Sequence, residues 1–319
     1  MADGLFFFCI FCTNIYQQTS FILIMKRVNP FRGLGVALVT PFTKDGEVDY
    51  PRLENLIESQ IKSGVDFICA LGTTAETPCL SKEEKDKIIS VVKRVINKRV
   101  PLLLGAGGNC TADVINYLHA VSLEGIDGVL IVTPYYNKPS QEGLYRHFKA
   151  IAESCPLPIV LYNVPGRTGV NLTAQTTLRI AAECDNVVAI KEASGQITQI
   201  DTIIEEAPQG FEVLSGDDAI TLELLSIGAV GVISVVGNAY PAEFGQMVHH
   251  ALKGNYADAL AIHRRFAKAY HNLTVDGNPS GIKALLSLQN KCENMLRLPL
   301  VPVSQQTHEA LKGIVDSLK

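Results

Sequence analysis

The stretch "NVVAIKEASG", residues 186–195, is an apolar run that ends in a lysine. Val187, Val188, Ala189 and Ile190 follow one another with no polar residue between them, so the run reads as a strand buried on both faces. Strands of that kind belong to parallel sheets whose faces are covered. Lys191 stands at the strand's exit, where withdrawing an ammonium from water is costly.

The same beat extends outward in both directions. Comparable runs occur at Leu34–Val39, Asp66–Leu71, Pro101–Leu104, Gly128–Val132, Pro158–Leu161, Glu212–Leu214 and Ala229–Ile233. Between them lie helical patterns. "SKEEKDKIISVVKRVINKR" opens on Ser81 with Glu84 three residues on, a capping box, and carries Ile88, Val91, Val92 and Val95 on one face. Asp113–Leu123, Gln141–Ala152, Thr173–Ala182, Thr198–Glu206, Ala219–Ile227 and Ala242–Leu252 behave alike, and Pro241 suits a first helical position. Strand and helix alternate eight times, which predicts an α/β fold, a (β/α)8 TIM barrel, over residues 31–253. A C-terminal region of two or three helices fills 254–319, broken at "TVDGNPSG" and "RLPLVP".

Residues 1–30 read as an N-terminal extension outside the fold. Their two apolar clusters are each shorter than the ~20 residues of a membrane helix, and Asp3 stands where an export signal carries a basic residue. Met25 opens a more ordinary cytosolic beginning; a weak export signal is the alternative. The 319 residues are 47% hydrophobic and 19% charged with a net charge of −4, so charge gives no case for nucleic acid or an anionic membrane. The eight cysteines have no framework spacing and only Cys9 and Cys12 form a CxxC, which fits a reducing, cytoplasmic location.

In such barrels the chemistry gathers at the carboxyl ends of the strands. Those ends read Thr40, "GTTAE" (72–76), "GAGGN" (105–109), "TPYYN" (133–137), "YNVPGRTG" (162–169), Lys191–Glu192, "SGDD" (215–218) and Ser234. A lysine attacks carbonyls only as the neutral amine, and apolar walls favour that form by desolvation. Tyr162, one strand away, could carry protons if its hydroxyl meets another, and Thr73 offers one. Thr73 and Thr74 follow a glycine turn whose N–H groups suit a carboxylate, and Arg167 could grip a second one in a fork. Each residue alone has a plain reading as a solvated or turn residue. Together they converge on one rim.

Absences also narrow the chemistry. The seven histidines fall in helical or tail segments, so no strand-end cluster is expected to hold a metal. Asp217 and Asp218 open a helix and read as caps before a magnesium pair. The glycines at 105, 107 and 108 lack both a Walker lysine and GxGxxG spacing.

"VALVTPF", "GTTAETPCLS", "TPYYNKPSQEGLYRHFKAIAE", "YNVPGRTG", "IKEASG", "LSGDD" and "GVISVVGN" occur in order over most of the chain. From about Phe31 onward the chain thereby resembles the dihydrodipicolinate synthase (4-hydroxy-tetrahydrodipicolinate synthase) family, within the pyruvate-dependent class I aldolases that include N-acetylneuraminate lyase. The resemblance implies a lyase of lysine and diaminopimelate biosynthesis that joins pyruvate to L-aspartate 4-semialdehyde. It implies no cofactor beyond a covalent imine of pyruvate on Lys191. Tyr162, Thr73 and Tyr136 would form a proton relay, Thr74 with Thr73 would hold the pyruvate carboxylate, and Arg167 the semialdehyde carboxylate. Gly216 and the Ile233 carbonyl match pocket-lining positions. Partners would be the two substrates and further copies of the chain, a homotetramer built as a dimer of dimers, with Tyr136 crossing to a neighbour. A sugar-acid lyase using the same lysine is the alternative, disfavoured by Arg167, and a barrel that binds a keto acid without turnover is a more distant one.

Two departures from the family pattern stand out. Ala75 replaces the usual glycine of "GTTGE", which would strain the turn if that position needs a positive φ. By resemblance, Asn109 and Tyr135 match a lysine-sensing pocket in the family's inhibited members and Asp113 stands where those members carry a longer Glu, whereas Lys82 and Lys85 stand where they tend to carry histidines. Two ammonium groups there would disfavour a cationic effector.

Overall fold

The structure, a computed structural model, describes residues 27–318, so Cys9, Cys12 and most of the expected extension lie outside the described residues. Residues 27–30, expected outside the fold, are instead part of it. Arg27 Nη2 donates to the Ala181 and Cys184 carbonyls at 2.5 and 3.1 Å, and Asn29 Nδ2 donates to Glu212 Oε2 at 3.0 Å. These bonds carry the chain to Phe31, which is fully buried against Phe67 with 5.4 Å between ring centroids.

Eight parallel strands close into a barrel: β1 (Gly33–Ala37), β2 (Phe67–Ala70), β3 (Leu102–Gly105), β4 (Gly128–Val132), β5 (Ile159–Asn163), β6 (Val187–Glu192), β7 (Glu212–Ser215) and β8 (Gly231–Ser234). Each pairs with its sequence neighbours, and β8 returns to β1 through Gly33↔Gly231 and Gly35↔Ile233. Helices between the strands cover the outside. Lys82–Ile96 starts with the expected box, Ser81 and Glu84 each bonding the other's backbone N–H.

Side chains form two layers. Ala37, Cys69, Leu103, Leu130, Val160 and Leu214 fill the barrel, while alternate residues such as Val36, Ile68, Leu104 and Leu161 pack outward against the helices. Strand β6 breaks the alternation. Ile159 pairs with Val187 but Val160 pairs with Ala189, so Val188 is skipped and joins Ala189 in the interior. This bulge reverses the inside–outside order for the rest of β6: Ile190 faces the helices and Lys191 the barrel.

Two expectations for the helices are corrected. The helix placed at Ala219–Ile227 divides into a 3-10 turn, Asp218–Ile220, and a short helix, Thr221–Ser226. The tail holds four helical segments rather than two or three: Tyr256–Arg265, Ala267–Asn272, Ser280–Leu288 and Gln305–Ser317. The added break falls at Phe266, whose buried ring lies 5.6 and 5.8 Å from those of Tyr240 and Phe244.

Candidate active site

Because of the bulge, Tyr162 and Lys191 are register partners on β5 and β6, and both are 6% exposed. The Lys191 ammonium stands 4.4 Å from the centre of the Tyr162 ring. Among the described residues Lys191 Nζ has no carboxylate partner. Gly216 makes room for it, since a Cβ there would lie 3.0 Å from Lys191 Cε and 2.8 Å from the Ala193 Cβ. Cys69 lines the same space, and burial pushes its thiol up to about 11, so it stays protonated and does not compete as a nucleophile.

Lys191 opens into a cavity of about 440 Å³. A second cavity of about 490 Å³ adjoins it, and Thr73, Tyr162, Arg167 and Asn278 line both. Tyr162 and Thr73 thus line common space, and no hydrogen bond joins their hydroxyls. Thr74 is 2% exposed and lines the Lys191 cavity, its Oγ1 accepting from Asn278 Nδ2 at 2.9 Å. Arg167 Nη2 donates to the Asn278 carbonyl at 3.1 Å, and its other N–H groups have no partner among the described residues. An unspent planar fork at a cavity wall suits a carboxylate.

The turn after β2 does not depend on a glycine at Ala75. Its left-handed residues are Leu71 at φ 53° and Glu76 at φ 54°, while Ala75 sits in the 3-10 turn Thr73–Ala75 and its carbonyl accepts from Thr40 Oγ1 at 2.8 Å. Gly105 permits this turn, because a Cβ there would come within 2.1 Å of the Leu71 carbonyl oxygen.

Other expected site residues lie apart. Tyr136 is 89% exposed at φ 73° and lines neither cavity, whereas Tyr135 lines the outer one. Ile233 is buried among the residues that fill the barrel interior rather than on a cavity wall. Lys85 lines the outer cavity, but Lys82 turns to Asp86 at 2.6 Å with its side chain 77% exposed, so one ammonium faces that space and not two. Asn109 accepts from Asn137 Nδ2 at 2.8 Å through its carbonyl, and Asp113 is exposed in the first turn of Thr111–Ala120. Asp217 caps through its side chain, accepting from Ala219 N at 2.9 Å. Asp218 Oδ2 accepts from the Val235 and Val236 N–H groups at 2.9 and 2.8 Å, and burial raises its carboxyl to about 6.

Residue-by-residue reading of the strand ends passes over what the tail adds. Asn278 sits in "TVDGNPSG", read as a simple break. Lys283 sits among Ile282, Ala284, Leu285 and Leu286, with its side chain fully buried against Glu76. A lysine inside an apolar helical run was the available signal.

The chain matches the model of the Dihydrodipicolinate synthetase family over residues 30–318. It is 56% identical over 288 residues to the 4-hydroxy-tetrahydrodipicolinate synthase of Phocaeicola vulgatus, covering 90% of this chain and 97% of that one. The solved dihydrodipicolinate synthase of Thermotoga maritima superposes with a TM-score of 0.88 at 43% identity, covering 90% and 98% of the two chains. The Cyanidioschyzon merolae enzyme, solved with lysine bound, gives 0.87 at 40% identity over 90% and 98%.

Proposed function

The chain belongs to the Dihydrodipicolinate synthetase family, and we propose that Lys191 is the residue through which it captures pyruvate. The activity is the condensation of pyruvate with L-aspartate 4-semialdehyde to 4-hydroxy-tetrahydrodipicolinate, a lyase step of lysine and diaminopimelate biosynthesis. The observation that carries the role of Lys191 is its burial beside Tyr162, without a carboxylate partner among the described residues, in a cavity also lined by Thr73, Thr74 and Arg167.

The neutral amine attacks the pyruvate keto carbon; the hydroxyl of the resulting carbinolamine takes a proton and leaves as water, giving the imine on Lys191. Loss of a methyl proton gives the enamine, whose carbon attacks the aldehyde. The new amino acid's nitrogen then closes on the imine carbon and expels Lys191. Tyr162 and Thr73 move the protons, and Tyr136 completes the relay of a neighbouring copy, for its own cavity lies out of its reach. Thr73 and Thr74 hold the pyruvate carboxylate, and the free donors of Arg167 hold that of the semialdehyde. The working unit is accordingly a homo-oligomer, a dimer of dimers, in the cytoplasm. No helix among the described residues is long and apolar enough to cross a membrane.

Borohydride reduction in the presence of pyruvate, followed by peptide mass, tests this directly. The expected result is a pyruvate-dependent mass on the peptide containing Lys191. Trapping at another lysine refutes the assignment.

A further inference from the structure

Glu76 and Lys283 form an ion pair whose two side chains are both 0% exposed and which joins positions 207 residues apart. Glu76 is the left-handed residue that ends the turn holding Thr73 and Thr74. Its second oxygen accepts the Arg297 backbone N–H at 3.0 Å, and Lys283 Nζ also donates to the Met295 carbonyl at 2.9 Å. Both cations lie against one ring, Lys283 Nζ at 3.9 Å and the Arg297 guanidinium at 4.5 Å from the centre of Phe42. Arg297 then grips Glu84 at 2.6 Å and the Gly46 carbonyl at 2.8 Å.

A buried ion pair is a poor explanation of stability. Both ions give up hydration, and well-packed neutral residues of similar volume often serve as well or better. What such a pair does fix is geometry, because each ion accepts only the arrangement that satisfies the other. Here the geometry fixed is the turn after β2. Its near side faces Lys191 through Thr73 and Thr74, and its far side is anchored to the tail. The tail touches the near side as well, through Asn278 on Thr74 and Arg167.

We propose that Glu76 and Lys283 are positioning residues for substrate capture: the tail, through this pair, holds the 73–76 turn in the one conformation that binds the carboxylate of the keto acid. The assignment rests on the carboxylate role given above to Thr73 and Thr74. Neither Glu76 nor Lys283 touches the reacting atoms, so their effect must appear as binding of one substrate rather than as loss of chemistry.

The double variant Glu76→Gln/Lys283→Met removes both charges together and leaves no lone buried ion. The expected result is a folded protein whose pyruvate KM rises at least tenfold, while kcat at saturating pyruvate and the semialdehyde KM change less than about threefold. If the double variant does not fold, Glu76→Asp keeps both charges and withdraws the carboxylate by one methylene; the same selective rise in pyruvate KM is expected. An unchanged pyruvate KM in a folded variant overturns the proposal, as does an equal loss for both substrates, the mark of general loosening. Wild-type enzyme trapped at Lys191 beside an unaffected variant would overturn the positioning role alone. Wild type that traps no pyruvate would overturn the imine reading beneath it.

Discussion

Tyr162 and Lys191 are direct register partners, and the ammonium stands over the phenol ring at 4.4 Å because one residue, Val188, is skipped in the pairing of β5 with β6. Without that step Lys191 would face the helices, where Glu192 now sits bonded to Asn163 and Gln199 at 2.7 and 3.1 Å. The inward lysine and the outward, satisfied glutamate are two results of a single bulge.

Lys191→Arg retains the charge and the packing of a long side chain but cannot form the adduct. We expect activity to fall by about a thousandfold or more, with borohydride trapping abolished. Residual turnover within tenfold of wild type would refute a covalent role.

Tyr136 projects away from its own cavity, so its contribution is expected in a neighbouring copy. Inactive Tyr136→Phe and inactive Lys191→Ala subunits, allowed to exchange, should recover part of the activity in mixed assemblies. Proven exchange with no recovery rejects the shared site.

Inhibition by L-lysine is expected to be weak or absent at sub-millimolar concentration. Lys85 faces the outer cavity beside Tyr135, and at about 6 Å with an effective dielectric near 20 it opposes a second ammonium by up to roughly 3 kcal/mol before salt screening. Lys82, neutralised by Asp86, adds little. Lys85→Gln should therefore sensitise the enzyme, and Lys82→Gln should not. Strong inhibition of the wild type in a rate assay would show that the cavity accepts the effector despite Lys85.

Acid should weaken the fold through His147. Its Nδ1 meets Thr111 Oγ1 at 2.9 Å, its Nε2 is buried without a partner among the described residues, and desolvation lowers its pKa to about 4. A depressed folded pKa contributes stability above the unfolded value of about 6.5 and loses it as pH falls toward 4, here by up to about 3 kcal/mol. His147→Met should flatten the fall in melting temperature between pH 6.5 and 4. An unaltered slope would place the acid sensitivity elsewhere.

The barrel could be read from the chain because each strand is apolar on both faces and each helix on one. The bulge could not, for the same reason: in Val187–Ile190 no polar residue marks which side is in. Lys191, Tyr162, Thr73, Thr74 and Arg167 announce themselves as polar residues at strand ends. Asn278 and Lys283 do not, since Thr74 and Glu76, which they hold, lie over 200 residues away and local pattern carries no such pairing. Lys82 and Lys85 look equivalent in sequence, and only the helix phase and Asp86 separate them. Phe266 breaks a helix by tertiary packing that propensity does not register.

The clasp between the 73–76 turn and the tail also sets an order in time. The last barrel strand ends at Ser234, yet Thr74, Glu76 and Glu84 wait for Asn278, Lys283 and Arg297. A chain emerging from the ribosome at roughly 5–20 residues per second would carry every strand of the barrel for on the order of seconds before its substrate turn could be fastened. Molecules cut short between Ser234 and Lys283 would hold the reactive lysine without the grip that brings it a keto acid, so such a prematurely terminated product would be chemically quiet rather than unregulated.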